Sequence, residues 1–428
     1  MKMNAVFQGL PFQPADILIP QNCDLSKWSV VACDQYTSQP EYWERVERYV
    51  GAAPSALHLI LPESSLEGPN VEQDITEINL TMAHYLREDC FRLCGESLIY
   101  VERTLDSGTV RRGLVGMVDL EQYDYEPGAS TLIRATEGTV LTRIPPRVKV
   151  RKNAPIELPH VLLLADDPQR TVIEPLSDQS GEMEVVYDFT LMEHGGHIKG
   201  WRLGGVQLEQ VASALRRLAE PKRFESRYQA PGKPVLLFAV GDGNHSLATA
   251  KACYERQKEL TPREQWDALP ARYALVELTN LHDPSLEFEP IHRVLFGVKP
   301  KELLESFMAA HEGAHFGRGE GHIIEFLYES GAGCITIPCP TAQLPVGTLQ
   351  TFLDAYLPDH GGRIDYIHGD EVARELGSKP GNLAFLLPAM EKKQLFPTVI
   401  FDGVLPRKTF SMGHANDKRF YLEARKIR

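Results

Sequence analysis

Between Val240 and Gln257 the chain reads VGDGNHSLATAKACYERQ. Gly241 and Gly243 bracket Asp242, and Asn244 and His245 follow where the spacing predicts a helix start. These residue types suit phosphate chemistry. Glycine lets a backbone approach an anion closely and accepts positive φ. The first turn of a helix presents unpaired N–H groups and the positive end of its dipole. A carboxylate such as Asp242 could hold Mg²⁺ or brace the loop. The plain alternative is a turn on two glycines with Asn244 as the helix cap. Gly-Asp-Gly alone does not separate the two.

Other residues could serve the same chemistry. Arg143, Arg147, Lys149, Arg151 and Lys152 lie close together in RIPPRVKVRKN. Pro145 and Pro146 argue there for an extended, charged edge: either a phosphate-facing strip or an edge strand guarded against aggregation. Just upstream, Glu137 and Thr139 offer a carboxylate and a hydroxyl, and a carboxylate can accept a substrate proton. In EPIHRVL, His292 could act as a base or donate to phosphate, although a lone histidine is more often structural. EHGGHIKGW has a poor metal spacing. Arg407 and Lys408 are either cations for an anionic ligand or an ordinary charged turn.

The elements that would position these groups alternate in type. PVLLFAV (Pro234 to Val240) is a buried strand, and Leu247, Ala250 and Tyr254 recur at helical spacing after it. Further strands are expected at 16–19, 56–61, 97–103, 109–118, 161–168 and 273–280, with helices at 41–50, 71–95 and 208–218. Cys90 and Cys94 would then share a helix face. After Lys301, helices such as KELLESFMAAH alternate with strands such as NLAFLLP, whereas Thr398 to Phe401 looks strand-like. The fold class is α/β (mixed α+β), with a boundary near Phe296 and domains at 1–295 and 296–428.

Composition narrows the function classes. The net charge of −13 opposes non-specific attraction to nucleic acid or anionic membrane. No apolar stretch reaches the length of a membrane span, and the first twenty residues lack a secretory pattern, so the expected compartment is the cytoplasm. Seven scattered cysteines read as reduced thiols. Cys334 and Cys339 are expected to be half-buried.

The order of segments resembles a prokaryotic family catalogued as domain of unknown function one-thousand-fifteen. VACDQYTSQPEYWERV resembles its early Tyr-Asp segment and SALHLILPES its His-Leu-x-x-Pro-Glu strand. RATEGT with Arg147 downstream resembles its His-Glu-x-Thr segment and later Asp-Arg. DGNH resembles Asp-Gly-His-His-Arg, PIHRVL resembles Pro-x-His-Arg, and LPRKT resembles the closing Met-Pro-x-Lys-Ser-Thr. The resemblance spans nearly the full length. The family is distantly similar to the ParB/sulfiredoxin-like group, which includes ADP- or ATP-dependent free serine kinases. It implies a nucleotide-site core of that kind followed by a C-terminal α/β lobe, with the DGNH loop as a phosphate cradle. The chain departs from the pattern at Ser246 (Arg in the signature), Asn244 (His), Thr136 (His), Pro146 (Asp) and Cys33, which replaces a Pro-Tyr pair. Ser246 removes a guanidinium clamp on phosphate.

The reading that follows is a kinase acting on a small hydroxylated metabolite with ATP or ADP and Mg²⁺. Gly241, Gly243, Asn244 and His245 hold phosphate, and Asp242 holds the metal or braces the loop. Arg147 and Arg293 clamp charge. Glu137, with Asp34 as second choice, accepts the hydroxyl proton, and His292 is a further catalytic candidate. A nucleotide- or metabolite-binding protein without turnover is the alternative, favoured by Ser246. A ParB-like DNA-associated protein is disfavoured by the acidic balance. The acceptor and the oligomeric state stay open, a homo-oligomer among the arrangements allowed.

Overall fold

Strands with every side chain apolar need cover on both faces, and the apolar runs of this chain meet that need at the centre of one ten-stranded sheet. All eight positions of Tyr273–Asn280 are buried, as are all four of Leu162–Ala165. Phe238–Asp242 lies beside them, buried at its first three positions. The order across the sheet is Glu184–Thr190, His197–Arg202, Ile99–Thr104, Val110–Asp119, Tyr273–Asn280, Leu162–Ala165, Phe238–Asp242, Ile133–Ala135 and Tyr123–Asp124, with Phe12–Gln13 also pairing with Val110–Asp119. The computed structural model describes residues 4–37, 39–66, 68–138 and 144–428. Thr139 and Arg143 lie outside them.

Two registers set the site. Val240 pairs antiparallel with Leu163 and parallel with Ala135. The strand therefore delivers Asp242 next to the beginning of 162–165 and next to the end of 133–135.

The chain divides into two compact units, 1–286 with 414–428, and 287–413. The division falls at 286/287 rather than 295/296 because Phe288–Phe296 is a strand of the second unit. It pairs there with Arg363–His368 and Asn382–Leu386. That unit has its own seven-stranded sheet with helices such as Pro300–Ala309 and Pro345–His360.

Residues 414–428 belong to the first unit. Ala32 N–H donates to Arg419 O at 2.9 Å and Tyr421 N–H to Val30 O at 2.8 Å. Leu18 and Ala424 exchange N–H···O bonds at 2.8 and 2.9 Å. Arg103, only 2% exposed, donates to the carbonyls of Gly195, Asn416, Asp417 and Lys418. Burial and then Arg111 push its guanidinium down to about 9. Arg419 bonds the carboxylates of Glu277 and Glu423. Burial alone would raise Glu277, but Arg419 and Arg111 overcome it and hold the carboxyl below its usual range.

Several expectations need correction. Residues 144–151 form a helix, Ile144–Arg151, with both prolines in its first turn. Proline is tolerated there because those N–H groups have no intrahelical acceptor. The long helix ends at Arg87, and Phe91–Ser97 is a strand, so Cys90 and Cys94 share no helix face. Ala56–Leu59 is a short 3-10 turn, and Lys392–Phe401 is a helix despite its strand-like end. Cys339 is exposed, although Cys334 is half-buried as expected.

Candidate functional site

The Phe238–Asp242 strand turns directly into the Asn244–Glu259 helix. Gly243 is the cap residue, with φ 78° and ψ 28°, and as a glycine it offers no side chain of its own to cap the helix. A Cβ on Gly243 would sit 3.1 Å from Val161 Cα, and one on Gly241 would sit 2.8 Å from Leu164 Cγ. Both glycines are thus required by close approach, Gly243 also by its left-handed backbone. No acidic side chain occupies the first turn.

Asn244 is a helical residue and not the cap. Its Oδ1 accepts from Thr136 N–H and its Nδ2 donates to Thr136 Oγ1, both at 3.2 Å. Thr136 in turn donates to Val240 O at 2.6 Å. Asn244 therefore fastens the helix start to the end of the 133–135 strand. Glu137, partly exposed, follows Thr136 directly.

The basic helix packs on the same element. Ile144 and Val148 are buried against Ala248 and Cys253. Burying such side chains contributes about 1.5–3 kcal/mol each. That outweighs the exposed Lys149–Glu72 pair, since exposed pairs contribute about 0.2–1 kcal/mol. Arg147 pairs with Glu63 at 2.7 Å, and Glu63 N–H donates to Cys33 O at 2.8 Å. Arg147, Glu63, Cys33 and Asp34 thereby become neighbours.

Three groups that the sequence did not single out complete the cluster. His160, 7% exposed, places Nε2 2.9 Å from Ser246 Oγ and 4.0 Å from Asp34 Oδ2. Its Nδ1 lies 2.8 Å from the hydroxyl of buried Tyr421, which donates to Cys33 Sγ at 3.1 Å and accepts Cys33 N–H at 3.2 Å. Lys418 Nζ stands 3.4 Å from Asp242 Oδ2. Burial, and then Asp34, push the Cys33 thiol up to about 12, so it is no thiolate nucleophile. The signal for His160 is a polar residue heading an otherwise apolar run, HVLLLA. Nothing local marks Lys418 or Tyr421, whose importance comes from the return of residues 414–428.

Of the expected site residues, the first unit brings together Asp34, Arg147, Asp242, the two glycines and Asn244, with Glu137 adjoining. His245 stands in the helix's first turn, and its carbonyl accepts from Thr249 Oγ1 at 2.7 Å. His292 and Arg293 lie in the second unit. Arg293 is wholly buried and donates to the carbonyls of Ile291, Arg407 and Lys408 and to Gln350 Oε1. Those partners make it an internal brace. His292 Nδ1 accepts from Leu387 N–H at 3.1 Å. Its Nε2 lies 2.9 Å from Asp370 Oδ1, but off the line of a hydrogen bond. Burial holds this imidazole below its ordinary range.

The residues do not suit a metal caged by protein. Among the described residues no group of three His, Cys, Asp or Glu side chains could hold an ion, and Asp242 is already ion-paired with Lys418. Bracing the loop is the role its geometry fits. Among the described residues, no helix is long and apolar enough to cross a membrane.

A family model described as "Protein of unknown function (DUF1015)" matches residues 12–356. No curated protein matches. Among solved structures, the chain is similar to a free serine kinase in complex with AMP, at 12% identity and TM-score 0.38, covering 73% of this chain and 91% of that one. It is also similar to a conserved hypothetical protein from Pyrococcus furiosus, at 13% identity, coverage of 73% and 94%, and TM-score 0.35. A third is SbnI with C-terminal truncation from Staphylococcus aureus, at 11% identity, coverage of 70% and 82%, and TM-score 0.36. These likenesses are too distant to transfer a function.

Proposed function

The chain belongs to the family described as protein of unknown function (DUF1015), and from that premise we propose that it binds a nucleotide at the Gly241–Ser246 loop and transfers a phosphoryl group to a small hydroxylated metabolite. The observation that carries this is the glycine-capped start of the 244–259 helix, with Lys418 paired to Asp242 just before it and Arg147 on the helix packed against it. The first-turn N–H groups and the dipole end favour an anion there. Arg147 and Lys418 are each paired with a carboxylate, Glu63 and Asp242. An entering phosphate would exchange those partners for its own oxygens, leaving the loop backbone in place.

In phosphoryl transfer the protein contributes mostly positioning and charge neutralisation. Gly241 and Gly243 permit the close backbone approach, and Asn244 with Thr136 keeps the helix start in register. Asp34 and Glu137, both partly exposed, are the carboxylates we assign to accept a hydroxyl proton. Any Mg²⁺ would arrive with the nucleotide, because the protein alone offers too few ligands.

Titration calorimetry with a panel of nucleoside di- and triphosphates tests the binding. Lys418→Ala and Arg147→Ala should each weaken affinity about tenfold, the effect of losing one charge-assisted contact of roughly 1.5–3 kcal/mol. Absence of binding across the panel would remove the proposal. Binding without nucleotide consumption in the presence of hydroxylated metabolites would favour a second reading, a sensor or carrier without turnover. Ser246, standing where the resembled signature has arginine, points that way. Salt-sensitive retention on DNA would favour the ParB-like alternative.

A further inference from the structure

Ser246 is more than a missing arginine. The residue is partly exposed and lies on the first turn of the 244–259 helix, and its hydroxyl meets His160 Nε2 at 2.9 Å. On the far side of that imidazole the Tyr421 hydroxyl stands 2.8 Å from Nδ1 and fixes the orientation of the ring. In the tautomer that carries its proton on Nδ1, the ring turns the Nε2 lone pair to the Ser246 hydroxyl, the arrangement of an activated serine. Asp34 Oδ2, 4.0 Å from Nε2, would steady the imidazolium once the proton has moved. A serine that merely filled space would need neither a buried histidine nor a tyrosine behind it.

We propose that Ser246 is a covalent phosphoryl carrier, accepting the terminal phosphoryl group of a nucleoside triphosphate before it passes to the hydroxylated acceptor. The proposal rests on nucleotide binding at the same loop. In the first step Ser246 Oγ attacks the γ-phosphorus and forms an O–P bond. The bond from that phosphorus to the β–γ bridging oxygen breaks, and the nucleoside diphosphate leaves with the electron pair. The serine proton goes to His160 Nε2. In the second step the acceptor hydroxyl attacks the phosphoserine phosphorus and gives its proton to the Asp34 carboxylate. Ser246 Oγ departs and recovers its proton from His160.

The test incubates the full chain with Mg-ATP and no acceptor, and follows intact mass and phosphosite mapping beside calorimetric nucleotide binding. The expected result is one phosphoryl group on Ser246, with a matching single release of ADP. In Ser246→Ala the modification should vanish. His160→Gln should slow it about a hundredfold, the scale of a lost general base, with nucleotide affinity changed less than threefold and the melting curve checking that both variants are folded. Nucleotide bound without modification of Ser246 overturns the carrier and leaves the binding reading standing. Modification at equal rate in Ser246→Ala also overturns it. No nucleotide bound overturns both.

Discussion

His160 and His292 are two buried histidines placed within 4.0 Å of a carboxylate, one in each unit. Both head toward partners supplied by distant parts of the chain, yet their surroundings differ in kind. His160 has a tyrosine behind it and a partly exposed serine in front, so one nitrogen faces groups that can react. His292 spends Nδ1 on a backbone N–H and sits next to Arg293, whose guanidinium serves the carbonyls of its own unit. A motif such as PIHRVL therefore identifies a packing solution as readily as a catalytic one. What distinguishes a site is polar groups that converge and still reach solvent.

The sharpest way to break this contrast is to remove each imidazole. In an assay of phosphoryl transfer, His160→Ala should lose about 10²–10⁴-fold in rate, the range for general-base catalysis. His292→Ala should stay within about twofold and instead lower stability by roughly 1–3 kcal/mol, the cost of an unsatisfied Leu387 N–H. Equal losses of activity would erase the distinction. Arg293→Ala comes next. It abandons three carbonyls and Gln350 at once, so denaturant unfolding should report a loss of at least about 3 kcal/mol. Nucleotide affinity should not change.

On the loop side, Gly243→Ala forces a Cβ into left-handed backbone against Val161, for about 1–2 kcal/mol. Nucleotide affinity should fall with it, because the helix start must shift. Asn244→Ala removes two bonds to Thr136, so a loss of about 1–2 kcal/mol in stability with affinity nearly intact would confirm it as a fastener. A large loss of affinity at unchanged stability would make it a direct phosphate ligand.

The smallest expected effect is a pH dependence confined to the second unit. His292 and His322 are both held below the ordinary value of 6.5, in each case chiefly by burial. As pH falls through 6.5 the unfolded chain takes up protons that the folded one refuses, so the equilibrium moves toward unfolding. Melting curves between pH 7.5 and 5.5 should show declining stability in the wild type, and His322→Gln should flatten part of that slope. A slope unchanged by the substitution would assign it to other groups.

Much of this molecule was legible in the sequence. The strand–loop–helix unit, the two glycines and the neighbourhood of Asp242 followed from local rules of period and turn. Arg147 lies in a helix and not on an extended edge, because Pro145 and Pro146 fall in the one turn that tolerates them. What stayed hidden depends on contacts between distant segments. His160 gains its meaning from Ser246 on one side and Tyr421 on the other, and no spacing rule links positions 160, 246 and 421. Arg293 shows the converse, a residue with the right type and motif whose partners exist only in the folded unit.

The path of the chain has a consequence for how the protein is made. Lys418 and Tyr421 reach the site only after residues 287–413 have been translated as a separate body. During synthesis the loop, His160 and Ser246 emerge early, while the lysine that balances Asp242 and the hydroxyl that orients the imidazole are still missing. Domains generally fold as units while the chain emerges, so the second unit has time to fold while the first waits, open along the edge where residues 414–428 will lie. A nascent chain released anywhere before position 418 would carry the glycine loop and the serine but no assembled centre. The contacts of Lys418 with Asp242 and of Tyr421 with His160 form only when the chain closes on its first unit.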